Sequence, residues 1–177
     1  EAFEREGALL AALDHPRIPR FVATFREGKG VGTRLYLAQE FVAGESLADR
    51  LKHRRFSETE ARDVAGQVLR ILVDLHARVP TLLHRDVKPA NVIRRPDGTL
   101  VLVDFGSART LSTEATHRAT LVGTYGYMPP EQLGGTVDVT SDLYALGATL
   151  VHLVSGKSPA DLASDDLALD VPKHVRA

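Results

Sequence analysis

His84-Arg85-Asp86-Val87-Lys88-Pro89-Ala90-Asn91, followed thirteen residues after Asn91 by Asp104-Phe105-Gly106, is the part of this sequence from which the rest is read. Chemically it offers an acid, a cation, a neutral oxygen ligand and a second acid. Transfer of a phosphoryl group from a metal-bound nucleotide needs those four groups. Asp86 is the candidate acceptor of the proton from an attacking hydroxyl, and Lys88 the candidate cation for charge on the transferring phosphate. Asn91 and Asp104 are candidate magnesium ligands, because magnesium prefers oxygen donors. Their separation has a local explanation. Two apolar, β-prone runs flank Pro96-Asp97-Gly98. Proline presets the φ of a turn, and glycine takes the positive φ that closes a three-residue hairpin loop. This pairs Arg95 with Thr99 and sets Asn91 opposite Val103, so a hairpin brings Asn91 and Asp104 to its open end.

Composition narrows the classes. The 177 residues suffice for one sizeable core or two small lobes. Lys+Arg 22 against Asp+Glu 23 gives a net charge of -1, so nothing points to nucleic acid or an anionic membrane. Without cysteine there is no disulfide framework and no thiolate zinc site. No apolar run reaches the roughly 20 residues that span a bilayer. The chain starts at Glu1 within a helical pattern and is expected to be a piece of a longer protein.

Working outward, residues 1–14 read as an amphipathic helix with Phe3, Leu9, Leu10 and Leu13 near one face. Strands are expected over 20–26 and 34–41, joined by a glycine-rich turn that lacks the strand–helix context of a phosphate loop. Ser46 and Ser57 open capping-box patterns. The second starts a long helix with Val64, Val68, Ile71, Leu72 and Leu75 at helical spacing. His76, near its end, reads as a cation on the helix dipole. The polar run 107–117 reads as a flexible loop. Ser141-Asp142 reads as the cap of a helix over 143–155, apolar almost all round and ended by Gly156.

HRDVKPAN with Asp-Phe-Gly resembles the catalytic loop and metal motif of protein kinases, most closely the bacterial Ser/Thr kinases. Further matches are Phe3-Glu4-Arg5-Glu6 before His15-Pro16, and Gly123-Thr124-Tyr125-Gly126-Tyr127-Met128-Pro129-Pro130-Glu131. The resemblance implies an α+β, two-lobed fold truncated at both ends. Residues 1–42 would hold a regulatory helix and two strands, and 43–177 a helical lobe. The glycine-rich loop and strand lysine would lie upstream, and this segment alone is expected to be inactive.

The resemblance also implies roles. ATP and Mg2+ are the expected cofactors, and protein Ser/Thr hydroxyls the acceptors. Glu6 would pair with the upstream lysine. Gln39 falls at the gatekeeper position, Glu40 and Val42 would meet the adenine edge through their backbone, and Ile93 would line the nucleotide site. Leu10 and Phe21 match an apolar spine. Thr124 would bond Asp86 and Lys88, and Asp142 would hold the catalytic-loop backbone. Arg85 and Arg109 would receive a regulatory phosphate on Thr120. Glu131 would be a buried acid paired with an arginine in helices beyond this segment. A cytoplasmic location is expected, with any membrane tether outside this segment. A pseudokinase or docking scaffold of the same fold stays open as the alternative, as does a small-molecule phosphotransferase.

Overall fold

A computed structural model describes residues 7, 8, 10–111 and 123–162. Gly7, Ala8, Leu10 and Ala11 are helical, and the Leu10 and Leu13 side chains are buried. The helix ends in a turn at Ala12, short of the expected Asp14. Strands β1 (Phe21–Glu27) and β2 (Arg34–Gln39) then pair antiparallel, with a bulge between Phe21 and Ala23. The glycine-rich turn between them closes on itself, since the Thr33 hydroxyl and N–H both donate to the Gly30 carbonyl. β2 stops two residues before the expected Phe41. Glu40 adds one further bond, its N–H donating to Arg20, and the chain then leaves the ladder.

The second sheet carries the hairpin. β3 (Glu45–Ser46) pairs with β5 (Val92–Arg94), and β5 with β6 (Leu100–Leu102), all antiparallel. The hairpin register is the expected one: Arg94 faces Leu100 and Val92 faces Leu102. Arg95 N–H donates to Thr99 at 2.9 Å, Val103 N–H donates to Asn91 at 2.9 Å, and Gly98 has φ 86°. Gly44, just before β3, lies so close to β5 that a Cβ there would clash with the Arg94 carbonyl oxygen.

Helix α1 (Leu47–His53) starts at Ser46, whose hydroxyl accepts the Asp49 N–H. Helix α2 (Glu58–His76) has the full reciprocal cap between Ser57 and Glu60. Arg54 also bonds Glu60 and, with the Ser57 contacts, holds its carboxyl well below the usual carboxylate range. The stabilisation this gives is present above about pH 4.5 and is lost as the pH falls through the depressed folded value. Val64, Val68, Ile71, Leu72 and Leu75 form the buried stripe of α2. It packs on helix α4 (Val139–Ser155), and the two helices hold the main core between them.

Two expectations give way here. α4 begins at Val139, not Leu143, because Asp138 and Ser141 make a reciprocal cap four residues earlier. Asp142 is therefore inside the first turn and is not the cap. α4 is also not buried all round, since Leu143 is exposed on its outer face. The run 107–117 is not all loop: Arg109–Thr110 forms β7, antiparallel to β4 (Leu82–Leu83). Residues 112–117 of that run lie outside the described residues. Helix α3 (Pro130–Leu133) is a single turn, and Gly156 closes α4 at φ 69°. Among the described residues no helix is long and apolar enough to cross a membrane.

Candidate active site

β4 leads into the loop 84–88, a short 3-10 turn over Pro89–Asn91 follows, and β5 begins. This path gathers four polar side chains. Lys88 Nζ donates to Asp86 Oδ2 at 2.7 Å and to Thr124 Oγ1 at 2.8 Å. Thr124 Oγ1 donates in turn to Asp86 Oδ1 at 2.7 Å. Asn91 Nδ2 donates to Asp86 Oδ2 at 3.0 Å and to the Asp86 carbonyl at 2.9 Å. The Asp86 carboxylate is thus buried and bonded by three donors, one of them 38 residues downstream. Gly123 lets Thr124 come this close: at φ 136° a Cβ would meet Met128 at 2.8 Å and the Arg85 carbonyl at 3.1 Å.

Only Arg85 and Asp104 among the described non-glycine residues have positive φ, 68° and 63°. Such backbone costs energy and persists only where its surroundings impose it. Asp104 is exposed beside Val103, whose N–H is bonded to Asn91, so the two candidate metal ligands do share the open end of the hairpin. Phe105, next in sequence, turns inward and meets the buried His84 ring edge-on, centroids 4.6 Å apart. Leu10 lies in the same buried cluster and Phe21 packs against it.

At Arg85 the constraint is Asp142, fully buried on α4. Its Oδ1 accepts the Arg85 N–H at 2.7 Å and its Oδ2 the His84 N–H at 3.0 Å. His76 Nε2 lies 2.8 Å from the same Oδ2. His76 is therefore more than a cation on the helix dipole, because it supplies a further contact to the acid that holds the loop. Burial pushes the His84 imidazole down, so it is neutral near pH 7 and accepts the Asp86 N–H at Nδ1.

Arg85 is buried, and burial followed by the like charge of Arg109 lowers its guanidinium from the ordinary value. The two cations thus lie near one another, brought together by the pairing of β4 with β7. Burial, with the Asp86 charge nearby, pushes the Tyr127 phenol up to about 12. Its oxygen is 2.6 Å from His152 Nδ1 on α4.

The other expected positions are more scattered. Gln39 ends β2 with its amide nitrogen buried and without a hydrogen-bond partner. The Glu40 carboxylate pairs with Arg20 at the surface. Val42 is half-buried, and Gly44 just beyond it lies against Ile93. Glu131, on the one-turn α3, is exposed, and the arginine expected to pair with it lies outside this segment. Glu6 and Thr120 lie outside the described residues. Among the described residues no three His, Cys, Asp or Glu converge as a metal cluster.

Gln67 was not singled out by its sequence. Its Oε1 accepts the Leu100 N–H at 3.0 Å and its Nε2 donates to the Gly98 carbonyl, fastening the hairpin turn to α2. The available signal was a polar residue on the apolar face of a helix.

The sequence model described as protein kinase domain matches residues 1–173. The chain is 37% identical over 184 residues to a Serine/threonine-protein kinase PknA of Nostoc sp., covering 98% of this chain and 32% of that protein. It is 36% identical over 189 residues to Serine/threonine-protein kinase B of Synechocystis sp., covering 99% and 32%. To Serine/threonine-protein kinase PknA of Mycobacterium tuberculosis it is 37% identical over 181 residues, covering 99% and 41%. The chain spans about a third of the length of the first two relatives. With residues 1–173 of its 177 matched by the family's sequence model and these relatives at such identity, the chain belongs to the protein kinase domain family.

Proposed function

We propose that this chain is the catalytic part of a Ser/Thr protein kinase, moving the γ-phosphate of ATP to a hydroxyl of a protein substrate. The observation that carries the reading is the closed network of Asp86, Lys88, Asn91 and Thr124 beside a hairpin that ends at Asp104. Asp86 accepts the proton of the acceptor hydroxyl as its oxygen bonds the γ-phosphorus and the bond from that phosphorus to the β–γ bridging oxygen breaks, ADP being the leaving group. Lys88, held 2.7 Å from Asp86, offsets negative charge on the transferring group. The nitrogen end of the Asn91 amide is committed to Asp86, which would leave its oxygen for a cation, with Asp104 at the same end of the hairpin. Two oxygen donors, with no larger acidic cluster among the described residues, suit magnesium, which keeps waters and phosphate oxygens as its other ligands. When bound, the cation neutralises charge on the nucleotide's phosphates.

The nucleotide base would lie along residues 39–42, over Ile93, where the unpartnered Gln39 nitrogen offers a donor. The segments 1–42 and 43–177 would then be the two lobes that enclose it, and Glu6 would pair with the strand lysine expected upstream. Arg85 and Arg109 form a cationic pair suited to a phosphate on Thr120, which would tie the loop before Gly123 to the residue next to Asp86. The location is taken as cytoplasmic.

Full-length protein incubated with γ-labelled ATP and Mg2+, followed by phosphoamino-acid analysis, tests this. The expected label is on Ser and Thr of the protein or an added protein acceptor, with Thr120 modified in the active form. Stable nucleotide binding without transfer would leave only the scaffold reading, and label on Tyr would overturn the acceptor class. Unmodified Thr120, with Thr120→Ala fully active, would remove the regulatory assignment alone.

A further inference from the structure

α4 touches the candidate catalytic loop at two polar points. One is Asp142, which takes the N–H groups of His84 and Arg85. The other is Thr149, seven residues and about two helical turns further on, hence on the same face. Thr149 is fully buried, and its hydroxyl donates to the Val87 carbonyl at 3.2 Å. A threonine inside a helix ordinarily returns its hydroxyl to the carbonyl one turn back. Thr149 instead reaches a residue 62 positions away. Val87 is itself fully buried, so water does not stand ready to take the place of the hydroxyl.

The Val87 carbonyl belongs to the peptide unit that joins Val87 to Lys88. The chain is thus gripped from one helix on both sides of Asp86: by Asp142 at the peptides leading into His84 and Arg85, by Thr149 at the peptide leading into Lys88. Asp86 and Lys88 are 2.7 Å apart and share Thr124 as a partner. A shift of the Val87–Lys88 peptide would change that distance directly. We propose that Thr149 is a positioning residue for phosphotransfer, setting Lys88 relative to Asp86 through the Val87 carbonyl, an assignment that rests on the kinase reading above.

Thr149→Val keeps the shape of the side chain and removes the donor, leaving a buried carbonyl without it. In the full-length protein, kcat is expected to fall by about 5- to 10-fold, with KM for ATP and for the protein acceptor within about twofold of wild type. Thr149→Ser, which restores the hydroxyl, is expected to return kcat to near the wild-type value. A role in stability alone would lower Tm and leave kcat untouched below the unfolding transition. Where Thr149→Val does not fold, Thr149→Ser against Thr149→Cys gives the same comparison, because the thiol is a weak donor of similar size. Unchanged kcat in the valine or cysteine variant, or equal losses with and without the hydroxyl, overturns the assignment. A wild-type protein that transfers no phosphate overturns the kinase reading, and this role with it.

Discussion

Asn in place of Asp86 is expected to lower kcat of the full-length protein by about 10²- to 10⁴-fold, the range that a positioned general base supplies. The loss has two parts. The amide no longer takes the acceptor's proton. It also misfits its surroundings, because Oδ2 now receives Lys88 Nζ and Asn91 Nδ2, both donors. An amide NH2 placed there would face two donors, and turned round it would face Thr124, which donates to Oδ1. Steady-state phosphotransfer by the variant, with thermal unfolding alongside to show that it folds, checks this. Turnover near the wild-type value would remove Asp86 from the chemistry.

Asp142→Ala has its largest expected effect on the fold. It strips the acceptor from the buried N–H groups of His84 and Arg85 and takes away the partner of His76. Leaving the two amides unsatisfied costs about 2–6 kcal/mol together. Arg85 adds to this, since its left-handed backbone is kept only by what surrounds it. Urea unfolding of the full-length protein should show a lower midpoint at an unchanged slope, provided this region unfolds in one transition. Asp142→Asn keeps one acceptor and should lose less. A midpoint unmoved by Asp142→Ala would mean that the loop holds its shape without α4.

The hairpin was legible in the sequence to the level of individual pairs. Its register depends on three turn residues, and Pro96, Asp97 and Gly98 each have one physical reason to be there. The long buried face of α2 was legible for a similar reason, because apolar spacing is a local property.

The places where reading failed are those where a local pattern competes with a distant partner. Ser141-Asp142 looks like a cap, yet Asp138 caps the helix with Ser141, and Asp142 is spent on a loop 58 residues away. His76 has the position of a dipole cation and the contact of a structural ligand, which its spacing does not reveal. β7 escaped notice because a two-residue strand of Arg109 and Thr110 has no room for a period. Gln67 and Thr149 could have been flagged. Each is a polar residue on an otherwise buried helix face, and such a group must find a partner.

Of the four groups at the hairpin and its loop, Asp104 is the one whose role depends most on what binds there. In the structure its carboxylate accepts only a long bond from Gly106 N–H, at 3.4 Å, among the contacts described. The direct measurement is phosphotransfer by the full-length protein against Mg2+ concentration at saturating ATP, for wild type and Asp104→Asn. The expected result is that the variant needs at least about 10-fold more Mg2+ for half-maximal rate, with its thermal unfolding unchanged. Superimposable Mg2+ curves would contradict a metal site shared by Asn91 and Asp104, and with it the phosphotransfer reading of this hairpin.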